Sequence, residues 1–379
     1  MSKAEKAIKK DKSKRILTFD LLRGYFLIVI VLDHLQWFPN GLDWVSARGA
    51  LFVSAAEGFF LISGIVLGIV RGRKLIQKPF REAALLLLTR GVQLYAVSIV
   101  LMLLFTFIGW LFLGNPGLKP GIRPIDQPLW EILIGALSFQ YLYGWADFLR
   151  LYSIFLFISP LALWLLRKKK WYVLLAGNIV LWALFPLAAM YTGHSTELLM
   201  PLAWQLIFFS GLTIGYYWEP LSTWWYKQKV HTRRWILWPI LGIGGLTLAT
   251  NFAIVTASSL GILPASIASW HTSLQPLFNK EALSPLRLLM FGCWFTLGFY
   301  IFKRLEKYIV KLFGWILLPF GGNSLYVYIL HAILLFFAHL ILTPGMHHNV
   351  LINGAGTVLV IGLIWFALKK QFLFKIIPR

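Results

Sequence analysis

The first apolar stretch, LTFDLLRGYFLIVIVLDHLQWF, is long enough to cross a membrane and yet carries Asp20, Arg23, Asp33 and His34. Ionisable groups at membrane depth are costly and mark ion paths, ligand sites or proton relays. Arg23 and His34 are eleven positions apart, which on a helix returns to within about 20° of one face. Asp20 falls about 40° from His34, so Asp20, Arg23 and His34 share a stripe, and Asp33 points elsewhere. A rise of 1.5 Å per residue puts Arg23 and His34 about 16 Å apart along the axis. An imidazole at that depth is a candidate general base. A guanidinium nearer the helix start is a candidate anion holder. The second apolar stretch, SARGALFVSAAEGFFLISGIVLGIV, places Glu57 at a depth similar to His34. A carboxylate beside an imidazole fixes its tautomer and stabilises the imidazolium, a role open to Glu57 and to Asp33. Gly58, Ser63, Gly64 and Gly68 suit close helix approach.

Elements that hold such groups in place must be membrane helices. The chain has 379 residues, 59% of them hydrophobic. Apolar runs of about 18–22 residues recur from end to end, which predicts an all-α, polytopic transmembrane helix bundle. Alternating ten-residue segments of the outer-membrane barrel type are absent. We expect ten spans, near 17–38, 50–70, 83–113, 147–167, 171–190, 201–218, 236–256, 285–303, 321–342 and 350–368. Segments 1–16 and 369–379 are then basic cytoplasmic ends around one membrane domain, 17–368. Leu129 to Gly144 is apolar but short, and reads as a re-entrant or interfacial piece.

The net charge of +22 does not point to nucleic acid. Of 36 basic residues, 28 fall in six clusters at alternate ends of the predicted spans. That asymmetry puts both termini in the cytoplasm, with the basic face against anionic lipid. The single cysteine, Cys293, supports neither a disulfide framework nor a thiol metal site. His194, His347 and His348 lie in predicted external loops without carboxylate or cysteine support, so no metal site is expected. Arg71, Arg73, Lys74 and Arg90 sit near the cytoplasmic face, where positive charge is expected in any case and phosphates can also be held. His331 lies mid-span after Tyr326 and Tyr328. Trp204 and Gln205 lie near the outer end of the sixth span, where tryptophan can stack on a sugar face.

The blocks that carry these residues resemble a family. The first span, with Asp20, Arg23, Gly24 and the Asp33–His34 pair, looks like the acyltransferase-3 superfamily, and more finely its OpgC-type branch, named for succinylation of osmoregulated periplasmic glucans. AAEGFFLISG, LYSIFLFISPLALWLLRK from Leu151, PLAWQL from Pro201 and NSLYVYILH from Asn323 to His331 follow in that branch's order. Members tend to carry an acid just before the Leu-Tyr block, where this chain has Arg150, with Asp147 three residues earlier. The resemblance implies an inner-membrane enzyme that takes a short acyl group, succinyl or acetyl, from cytoplasmic acyl-CoA as cosubstrate. It delivers that group to a hydroxyl of an extracytoplasmic glycan, with His34 as base. Asn323 or Ser63 would then steady the oxyanion, and Asp20 and Arg23 would line the donor path. No permanently bound cofactor is expected. The rival reading is a secondary transporter or flippase of an envelope precursor, which also places charge at the midplane. Such proteins often show matching halves, and the sequence shows none. A non-catalytic scaffold for envelope assembly, and an N-acetyltransferase resembling the heparan glucosaminide type, are the remaining alternatives.

Overall fold

The computed structural model describes residues 16–73, 75–145, 147–192, 195–345, 348–374 and 377. Lys74, His194, His347, residues 1–15 and, in the basic tail, residues 375, 376, 378 and 379 lie outside them. The helices are α1 Leu17–Leu35, α2 Ala55–Leu67 continued by a π-helical turn Gly68–Arg73, α3 Phe80–Leu111, α4 Leu129–Leu137 and α5 Asp147–Arg167. After these come α6 Trp171–Ala183, α7 Phe185–Thr192, α8 Thr196–Tyr216, α9 Trp218–Lys227 and α10 Val230–Ser259. The last third adds α11 Ala265–Leu274, α12 Pro285–Arg304, α13 Glu306–Gly322, α14 Ser324–Ile341 and α15 Val350–Lys369.

Nine helical stretches among the described residues are long and apolar enough to cross a membrane. With α1, which is 19 residues long but carries three charged groups, they correspond to the ten expected spans. The chain is a multi-pass membrane protein. α1 ends at Leu35, three residues before its expected end, because Pro39 pushes the preceding backbone out of the helical region. α4 has nine residues, too short to cross. Besides α4, three helices lie outside the expected spans, α9, α11 and α13, the last of them in the basic stretch between the spans expected to end at 303 and begin at 321. The charges of α13, Glu306, Lys307 and Lys311, hide a helical pattern. Gly314, Leu317, Phe320 and Gly321 are buried, while Tyr308, Leu312 and Trp315 are exposed.

Burial sorts the helices into a centre and a periphery. The most apolar windows of α2, α5, α8 and α14 are 56–67% buried within the chain, against 11% for α12 and 22% for α10. Without a hydrophobic force between helices in lipid, the centre must be held by close packing and polar contacts. Close packing comes from glycine at two interfaces. Gly64 of α2 meets the Phe208 carbonyl of α8, and Gly211 of α8 meets that of Leu61. Gly24 of α1 meets the Leu317 carbonyl of α13, and Gly321 meets that of Asp20. In each case backbone occupies the space a Cβ would need.

Pro160, Pro201, Pro239 and Pro319 lie inside helices, where proline leaves a carbonyl without an intrahelical donor, and for Pro319 and Pro201 that carbonyl is answered from elsewhere. Pro319 orphans the Trp315 carbonyl, which accepts from Trp365 Nε1 at 3.2 Å. Pro201 orphans the Glu197 carbonyl, which accepts from Arg150 Nη2 at 2.6 Å, while Nη1 reaches the Leu198 carbonyl at 3.3 Å. Arg150 is 2% exposed. Its guanidinium thus repairs the α8 backbone, which accounts for a cation where the family pattern has an acid. Arg150→Met should destabilise the protein by about 1–3 kcal/mol. Thermal unfolding in one detergent should show a smaller loss when Pro201→Ala restores the amide.

At the His34 end, Asn251 Oδ1 accepts the Phe52 amide at 2.9 Å, so its Nδ2 is the donor to His271 Nε2 at 3.1 Å. That bond requires a neutral imidazole, and burial lowers the His271 pKa below its usual 6.5. A group whose folded pKa is depressed costs the fold stability once the unfolded chain begins to bind the proton. The segment 260–284 should hold tightly above about pH 6.5 and loosen as pH falls below it. Proteolysis of that segment at neutral and acid pH should show the step in the wild type and not in His271→Gln.

Candidate functional site

α1, α14 and α5 build the site. His34 Nδ1 and His331 Nε2 are 3.1 Å apart, with ring centroids 5.3 Å apart. His331 is 1% exposed, and its Nδ1 lies 2.6 Å from the Tyr328 carbonyl. A carbonyl only accepts, so Nδ1 of His331 carries the proton. Neutral His331 then offers a lone pair at Nε2, and His34 donates to it from Nδ1. The network therefore leaves Nε2 of neutral His34 unprotonated and available as a base. Behind the pair, Tyr328 donates to Asp147 Oδ1 at 3.4 Å and stacks on Phe148 at 4.7 Å.

Arg23 donates from Nη2 to Ser324 Oγ, the first residue of α14, and its guanidinium lies 5.6 Å from the Phe59 ring. Tyr152 of α5 lies within electrostatic range of both Arg23 and Arg90, and Arg90 within range of Arg71. Arg71, Arg90 and Arg23 thus fall in one electrostatic neighbourhood around Tyr152. Lys119 and Lys280 both act electrostatically on His34. Lys119 Nζ donates to the Gly144 carbonyl at 3.0 Å and sits 5.7 Å from the Trp145 ring.

The other candidates from the sequence are placed as follows. Asp20 is buried, with its carbonyl against Gly321. Glu57 closes a capping box with Ser54 and accepts from Arg287 Nε at 2.5 Å and from Arg287 Nη2. No hydrogen bond joins Glu57 to His34 among the described residues, and His331 takes the orienting place assigned to a carboxylate. Asp33 faces away from the histidines, beside Ser46 and Gly49. Ser63 is buried on α2 near Tyr152. Asn323 Nδ2 is occupied by the Pro319 carbonyl at 3.0 Å. Trp204 is 1% exposed, packs on Phe60 and donates to the Lys280 carbonyl at 3.1 Å. Gln205 Nε2 donates to the Asn178 carbonyl at 2.8 Å. Both therefore brace α8 against its neighbours and present no open face.

Sequence reasoning did not identify Ser324, Tyr152, Lys119 and Lys280 as members of the site, nor Arg287 as the partner of Glu57. Arg287 carried a signal: a cation two residues inside an apolar run, with an unpaired acid elsewhere at similar depth.

The geometry is that of a multi-pass membrane helix bundle with a hydrogen-bonded histidine pair between α1 and α14. Residues 15–375 match the family model described as OpgC protein, and the chain belongs to that family. No curated protein and no solved structure matches it. Family membership supports a membrane acyltransferase-like function in glucan or envelope modification.

Proposed function

We propose that the chain is an inner-membrane O-acyltransferase that moves a short acyl group from cytoplasmic acyl-CoA to a hydroxyl of an extracytoplasmic glycan. The single observation that carries this is the hydrogen-bond chain from the Tyr328 carbonyl through His331 to His34, which leaves His34 Nε2 as a base. The Leu17 end faces the cytoplasm in this reading, in keeping with its basic clusters. Arg71, Arg90 and Arg23 then serve the phosphates and the pantetheine arm of the donor. His34 Nε2 takes the proton of the acceptor hydroxyl. The oxygen attacks the thioester carbonyl, the C–S bond breaks, and the imidazolium returns its proton to the leaving thiolate. Lys119 and Lys280 favour the oxyanion of the tetrahedral intermediate. They also favour an acyl group that ends in a carboxylate, so succinyl is preferred over acetyl.

Mass spectrometry of extracytoplasmic glycans from cells with and without the gene tests this. A mass step of one acyl unit, present only with the gene, is expected and names the acyl group. Identical glycans in the two samples would overturn the reading and favour transport of an envelope precursor.

A further inference from the structure

α1 lines a cavity on a second face. On the side away from His34, this cavity, of about 230 Å³, runs between α1 and α12. Leu22, Phe26 and Val29 form one wall, and Phe291, Phe295 and Phe302 the other. Residues 22 to 33 of α1 and 291 to 302 of α12 each span eleven steps, so the slot is about 16 Å long. That length takes roughly a dozen methylene groups in extended form. The apolar wall is closed at the His34 end by polar groups, Asp33, Ser46 and Ser54. Among the described residues the buried Asp33 Oδ1 has no hydrogen-bond partner, with Ser46 beside the carboxylate and Lys280 within electrostatic range. α12 buries only 11% of its most apolar window inside the chain, so the slot borders the lipid phase.

We propose that this cavity holds one alkyl chain of a bilayer phospholipid with a primary ammonium headgroup, the ammonium resting against Asp33. The apolar wall selects the chain. The carboxylate selects a cationic hydrogen-bond donor over a headgroup that ends in a hydroxyl or carries only a phosphate charge. The site is separate from the proposed donor path, which follows the Arg23–His34 stripe about 100° around α1. It stands whether or not the acyltransfer reading does.

Native mass spectrometry tests it on protein released from nanodiscs. The discs hold equal amounts of phosphatidylethanolamine, phosphatidylglycerol and phosphatidylcholine of one chain length. The wild type should retain one phosphatidylethanolamine, about fivefold over either competitor. Gly298 lines the slot, and a side chain built there meets nothing within 4 Å. Gly298→Trp should therefore fill the space and lower retention of all three lipids about tenfold. Gly298→Leu fills less and should fall between, which keeps the test valid if the larger variant does not elute as a single species. Asp33→Asn should retain a lipid but lose the headgroup preference. Equal retention of the three lipids by the wild type would overturn the proposal. So would preference for phosphatidylglycerol, or wild-type retention by both Gly298 variants.

Discussion

His34→Ala is expected to lower acyl transfer by about 10²–10⁴-fold or more while the protein stays folded, since the change removes the proposed base and no buried ion pair. His331→Ala is the more informative companion. His331 does not meet the reacting atoms in the proposed mechanism; it fixes which nitrogen of His34 carries the proton. Its loss should lower kcat by about 10–10³-fold with the KM for the donor unchanged. His331→Gln should recover part of kcat, because its amide oxygen can accept from His34 Nδ1. Steady-state rates with purified protein and a short-chain acyl-CoA separate these outcomes. Full kcat in His331→Ala would remove the positioning role, and full transfer in His34→Ala would remove the mechanism.

The largest effect on stability is expected at Arg287 and Glu57, whose side chains are 5% and 0% exposed. Removing one member of a buried pair leaves an uncompensated charge, at a cost of about 3–5 kcal/mol. Arg287→Met should therefore lower the thermal midpoint sharply in a fixed detergent. Glu57→Gln removes the charge and keeps the capping function, since glutamine also serves at that position of a capping box. The double variant should recover most of what Arg287→Met loses. A double variant as unstable as Arg287→Met alone would show that the pair's charge is not what matters.

The spans were legible because a membrane crossing writes itself as a continuous apolar run, whereas the capping box of Ser54 and Glu57, which starts α2 at Ala55 and not near 50, went unread. The stripe of Arg23 and His34 was legible because it depends on helix geometry within one element. The same geometry turned Asp33 away, and the structure finds it lining a different cavity. What was hidden is pairing between elements. His34 and Arg23 find His331 and Ser324 about 300 positions later, and no local pattern encodes that. α13 was hidden for another reason: its lysines made an amphipathic helix look like a loop. Trp204 and Gln205 read as a sugar-facing pair from their place near the outer end of a span, while the structure buries both, each donating to a backbone carbonyl.

The long interval between α1 and its partners has a consequence for biogenesis. At a synthesis rate of about 5–20 residues per second, some 15–60 s separate the emergence of α1 from that of α14. For that period α1 carries Asp20, Arg23 and Asp33 without Leu317, Gly321, Ser324 or His331 beside it. A lone helix of that polarity is poorly held by lipid. The nascent chain must therefore keep α1 sheltered, against α2 or within the insertion machinery, until the last third of the protein arrives. Truncation before α13 should release a first helix that cannot settle in the bilayer, making such fragments ready substrates for membrane quality control.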